Sequence, residues 1–176
     1  MEVAIIVILL AILLAIWIIS TQKKLIAMDE NINNAMNQIG VQLSSRFDVL
    51  NVLLNLVKGY AGCDVLTLIS TLKSQRSDIT AKSTPEDVLG QESVISGALE
   101  HIAIVAEQYP ELKADMNYAK CMDAVDSYDK MVRTSCLIYN DTVTKMNGAI
   151  CDIPTSLIAR LLGFQQRPYL NMEEGR

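Results

Sequence analysis

Apolar residues fall in two regimes along this chain. From Val3 to Ile19 they are continuous, reading VAIIVILLAILLAIWII without a charge, a proline or a glycine. At 1.5 Å per residue this run with Ser20 and Thr21 reaches about 28 Å, one hydrocarbon core. No water there satisfies backbone N–H and C=O groups, so the segment is predicted helical. Trp17 lies near its end, where an amphipathic ring suits the headgroup region. A cleaved signal would start with basic residues and end at a small-residue site. Met1-Glu2 carries no Lys or Arg, and Ser20-Thr21-Gln22 is a poor cleavage site. The expectation is an uncleaved transmembrane anchor over residues 1–22, held in lipid through Val3–Ile19. Lys23 and Lys24 follow the span and no basic residue precedes it. That asymmetry predicts an outside N-terminus and a cytoplasmic bundle.

Beyond the lysines the pattern becomes a stripe. Leu25, Met28, Ile32, Met36, Ile39, Leu43, Leu50, Leu53 and Val57 carry it, and from Ile32 the steps alternate four and three. A 3.5-residue repeat is the seam of helices packed side by side. Neither Pro nor Gly separates Val3 from Ile39, so anchor and stalk read as one helix. Arg46 occupies the seam position between Leu43 and Leu50. After Val57 the seam advances by four twice, through Ala61 and Val65, then runs to Leu68, Leu72 and Ile79. This stutter coincides with Gly59 and Gly62. Because the period continues across it, the expectation is a single helix over about 25–80, slightly bent; a break into two helices is the alternative.

Thr84-Pro85-Glu86-Asp87 is a helix start, with an N-cap, a proline at the first position and acids at the positive dipole end. Val88, Ile95, Leu99, Ile102 and Ala106 form its stripe, with Glu92 the one polar member. Tyr109-Pro110 closes this helix, expected over 85–108. Asp115 or Asn117 caps a third, over 115–151. Its stripe runs through Tyr118, Met122, Val125, Asp129, Val132, Cys136, Tyr139, Val143, Met146 and Ile150 to Pro154. A short helix over 156–162, with Gly163 as C-cap, precedes a polar tail at 165–176, expected frayed. The fold class is all-α: an N-terminal transmembrane helix continuing into an up-down-up bundle of long antiparallel helices, with the bundle over residues 23–164.

Composition narrows the chemistry. The 176 residues carry 15 Lys and Arg against 20 Asp and Glu, a net charge of −5, which argues against nucleic acid as partner. Cys63, Cys121, Cys136 and Cys151 form no C-x-x-C pair, and His101 is the single histidine. Metal ligation is not expected, and the cysteines read as buried small hydrophobes. Gly59-Tyr60-Ala61-Gly62 lies inside helical periodicity rather than in a phosphate loop. Asn140-Asp141-Thr142 matches a glycosylation sequon but falls mid-helix on the cytoplasmic side, and is discounted. Arg46 and Asp129 are ionisable residues on apolar seams, so each needs a partner. With helix one reaching residue 80, their heights place Asp129 near Lys58 and Asp115 near Arg46.

Several motifs occur together in order. Arg46-x-Asp48 followed by Leu53-Leu54-Asn55-Leu56-Val57-Lys58-Gly59-Tyr60-Ala61 resembles R-x-D-L-I-P-N-L-V-x-x-V-K-G-Y-A. Tyr109-Pro110-Glu111-Leu112-Lys113-Ala114 matches Y-P-x-L-K-A, and Tyr139-Asn140-x-x-Val143 matches Y-N-x-x-V. Pro154 through Ala159 to Gly163-Phe164 matches a P…A…GF ending. The combination resembles the LemA family of bacterial single-pass membrane proteins. The resemblance implies an anchored cytoplasmic helical bundle in the bacterial inner membrane, with no catalytic residues to transfer. Departures stand at Asn51 and Val52 for the signature's Pro and Asn, Cys63-Asp64 for His-Glu, Asp129 for Glu and Cys136 for Arg.

The functional expectation is a membrane-anchored scaffold that binds protein partners or a second copy of itself, without enzymatic activity. No catalytic, cofactor-binding or metal residues are assigned. The alternative is a membrane-shaping protein, by analogy with a family member linked to membrane invagination. A membrane-associated sensor or enzyme would need a polar pocket containing Asp129 or His101.

Overall fold

The computed structural model describes residues 1–62 and 64–172, the Asp64 side chain excepted, and every regular element among them is helical. Helix α1 is continuous from Glu2 to Ala61, 60 residues, or about 90 Å. Residues 1–20 are exposed all round, and this helix is long and apolar enough to cross a membrane. Burial begins at Thr21 and Leu25 and follows the seam through Ile32, Met36, Ile39, Leu43, Arg46, Leu50, Leu53 and Val57. The 3.5-residue spacing thus does what it implies: it keeps one stripe against neighbouring helices.

The expected helix over 25–80 is not what forms. Gly62 takes φ +65°, its N–H donating to the Lys58 carbonyl at 3.0 Å, and α1 stops there. A left-handed φ costs glycine little, because it has no Cβ. Helix α2, Asp64–Gln75, then folds back along α1. Arg76 just beyond it donates to Asp48 and to the Ser44 hydroxyl, each at 2.7 Å, and sits 5.7 Å over the Phe47 ring. Val65, Ile69 and Leu72 enter the same core as the α1 seam. The apolar period therefore survives a reversal, and by itself it does not separate a bent helix from a folded one.

Residues 76–84 are a tied connection rather than more helix. Gln91 is buried; its side chain accepts from Ser77 N at 2.9 Å and donates to the Gln75 carbonyl at 3.1 Å. Ile79 lies on Gly40, where the two backbones approach. Helix α3, Pro85–Gln108, opens on a full capping box between Thr84 and Asp87. The turn α4, Pro110–Lys113, leads to α5, Met116–Cys151, which Asp115 caps. Arg46 meets Glu92 and Asp129, and Tyr60 meets Asp115. So α3 climbs beside α1 and α5 descends against it, one pass more than the up-down-up order.

Helix α6, Thr155–Leu161, precedes Gly163 at φ +77°. The tail from Gln165 to Met172 is not frayed. Asn147 holds both backbone groups of Arg167 at 2.9 Å, and Asn140 holds both of Leu170 at 2.8 Å. The Tyr139 hydroxyl donates to the Pro168 carbonyl at 3.0 Å, and Leu170 is 1% exposed. A polar tail becomes a strap because side-chain amides satisfy its backbone as a strand neighbour would. Residues 173–176 lie outside the described residues.

Gly40 and Gly59 give opposite expectations. A Cβ at Gly40 would fall on the Ile79 carbonyl, 2.9 Å from its carbon, whereas nothing lies within 4 Å of one at Gly59. Thermal unfolding in detergent, followed by far-UV circular dichroism, should show Gly40→Ala destabilised by about 1–3 kcal/mol. Gly59→Ala should gain about 0.5–1 kcal/mol through helix propensity.

Candidate functional site

The polar centre of the bundle is built on Arg46, which is 5% exposed on α1. Its Nη1 donates to Glu92 of α3 at 2.6 and 2.8 Å, and its Nη2 forms an ion pair with Asp129 Oδ1 of α5 at 3.0 Å. The second Asp129 oxygen accepts from Arg133 Nε at 2.8 Å. Two cations thus face two carboxylates. Charge-assisted bonds of this kind offset part of the desolvation that burial imposes on each ion. Arg46 Nε is buried without a partner among the described residues.

This pairing corrects the heights expected from the sequence. Asp129 lies level with Arg46, not with Lys58, which is exposed. Asp115 lies at the far end of the bundle, accepting from the Tyr60 hydroxyl at 2.9 Å and from Asn117 N at 2.7 Å. The cause is the reversal at Gly62, which inverts the direction of every later helix. The Asn117 N–H, then the Tyr60 hydroxyl, hold the Asp115 carboxyl below its usual range, while the same bond raises the Tyr60 phenol. Glu92 was visible as the polar member of its stripe; that position was the signal for the partner of Arg46.

Cys136 sits close to this cluster, two turns beyond Asp129 on α5. Its thiol donates to Met172 Sδ at 3.2 Å, joining the strap to the centre. Burial, and then the Glu92 and Asp129 charges against the opposing Arg133, push it up to about 12. At neutral pH it is a packed thiol, not a thiolate ligand or nucleophile. Cys121 is half-buried and Cys151 exposed; Cys63 lies outside the described residues. His101 is exposed on α3. The amide of Asn140, the sequon residue, is committed to Leu170. Gly59 and Gly62 mark the end of α1 rather than a phosphate cradle.

Taken together these features define an all-α bundle closed by an ionic centre and mounted on a helix long and apolar enough to cross a membrane. A family model for the LemA family matches residues 35–176, and the chain belongs to that family. Nothing among curated proteins matches it.

The ionic centre should behave as one unit. Arg46→Leu strips Glu92 of its cation and leaves Asp129 only Arg133, and should cost about 3–5 kcal/mol. The triple variant Arg46→Leu, Glu92→Leu, Asp129→Leu should unfold well above the single one, because no carboxylate is left unpaired between the three helices and the Arg133 side chain, 39% exposed, reaches water. Thermal unfolding of both variants in detergent checks this. Cys136 sets a second expectation. Its pKa rises from 9.0 to about 12 on folding, so above pH 9 the folded chain keeps a proton that the unfolded chain loses. That contribution is complete below about pH 9 and fades as the pH climbs toward 12. Maleimide at neutral pH should label Cys151 in the folded protein and Cys136 only after denaturation.

Proposed function

We propose that this protein is a membrane-anchored helical scaffold that works through its surfaces, on protein partners or a second copy, rather than through chemistry. One observation carries the reading: the charged cluster inside the bundle and the amides beneath the tail are committed to contacts within the chain. Arg46, Glu92, Asp129 and Arg133 hold one another, and Asn140 and Asn147 hold the strap. His101, the other candidate for a reactive role, is in solvent. Outside the core, α5 presents Met131, Leu137 and Ile138, with Leu137 70% exposed. Apolar side chains of this size on an anchored bundle suit docking of another protein. The span Val3–Ile19 seats in the bacterial inner membrane, N-terminus outside and bundle in the cytoplasm, as Lys23 and Lys24 direct.

A photo-crosslinking residue at Leu137 or Ile138, activated in native membranes, should give a discrete product with the mass of the chain plus a partner or of two chains. Absence of a product at both positions overturns the scaffold reading. In the same cells, an impermeant maleimide should reach Cys151 only once the cytoplasmic face is opened. Labelling in intact cells reverses the orientation.

A further inference from the structure

The end of the bundle nearest the span carries a surface that the anchor does not account for. Helix α5 runs against α1 with Tyr60 opposite Asp115 and Arg46 opposite Asp129. Both helices rise 1.5 Å per residue, so Cys151 at the end of α5 lies opposite about residue 24. Helix α6 turns beneath that end and touches α1. Ile158 and Ala159 point inward and are buried, as are Thr21 and Leu25 of α1. Residue 20 and everything before it is exposed, so α6 sits where α1 leaves its apolar run.

The opposite face of α6 is also apolar. Leu157 is 63% exposed and Leu161, one turn on, 86%; Ile153 at 86% and Leu162 at 43% flank them. The apolar run of α1 ends at Ile19, less than one turn before Thr21, so this face continues the surface that lipid would cover. Lys23, Lys24 and Arg160 stand at the same level, with Asp152 the nearby acid, while Arg167 is paired to Asp29 at 2.7 Å. Apolar side chains bordered by cations are the composition of a segment lying in a bilayer interface.

We propose that α6, with Ile153 and Leu162, is a second lipid contact: Leu157 and Leu161 enter the headgroup and upper acyl region beside the anchor and dock the base of the bundle on the bilayer. The inference rests on the reading of α1 as a transmembrane anchor. Trp17 is the single tryptophan of the chain, which makes both readings measurable separately. Full-length protein is reconstituted in phosphatidylcholine–phosphatidylglycerol vesicles containing lipids brominated along the acyl chain. The native Trp17 reports the anchor. Leu157→Trp and Leu161→Trp, each in a Trp17→Phe background, report α6. Ile104→Trp in the same Trp17→Phe background, at an exposed site on α3 toward the far end of the bundle, is the control.

Side chains about 5–10 Å into the interface should lose about half their emission or more to shallow bromines, with a blue-shifted maximum. The control should keep its emission. Quenched Trp17 with both α6 tryptophans unquenched overturns the docking alone. A blue shift at α6 without quenching assigns the face to a second copy and likewise overturns it. Trp17 unquenched at every bromine depth removes the anchor, and the docking with it. Leu157 and Leu161 are both exposed, so agreement between two independent replacements guards against a local folding defect.

Discussion

A guanidinium taken out of water is the condition the bundle has to meet. Arg46 lies on the face of α1 that packs against two other helices. Apolar seams alone leave the register of those helices open, because a stripe repeating every 3.5 residues matches itself again two turns along. The carboxylates do not have that freedom. A slip of α3 or α5 by one turn moves Glu92 or Asp129 about 5.4 Å, and Arg46 then loses one of its two counter-ions. Hydrophobic burial gives the bundle its cohesion, while the ionic centre selects one alignment among several that would bury similar area.

The direction of each helix is set separately, by short polar devices at the ends. Gly62 turns the chain, Arg76 and Gln91 pin the long connection, Thr84 and Asp87 start α3, and Asp115 starts α5. Several of these also bridge elements: Arg76 spans from the connection to α1, and Asp115 accepts from Tyr60. Direction and register together bring Glu92 and Asp129 to the same residue of α1, although 36 positions separate them in the chain.

Much of this was legible in the residues. The seam of α1 from Ile32 to Val57, the N-cap at Thr84, the stripe of α5 and the turn at Gly163 are found where spacing and cap chemistry put them. Two things were hidden for physical reasons. The reversal at Gly62 leaves the apolar period intact, since α2 buries its stripe in the same core, and periodicity carries no sign of direction. The strap was hidden because recognition of its backbone needs only Asn140 and Asn147, which look like ordinary surface positions on a long helix. The family motifs gain physical content here. Arg46 holds the ionic centre, Tyr60 meets the cap of α5, and Tyr139 and Asn140 hold the tail.

Helix α1 has no joint between its apolar run and the bundle: the same hydrogen-bonded rod passes from Glu2 to Ala61. With the apolar run seated in a bilayer, as proposed, its orientation would be transmitted mechanically, the stretch beyond residue 20 acting as a lever of about 60 Å. An inclination of about 20° carries the tip at Ala61 sideways by about 20 Å. Changes in bilayer thickness, which alter such inclinations, would be felt at the tip as sweeping displacements, without any bending of the protein.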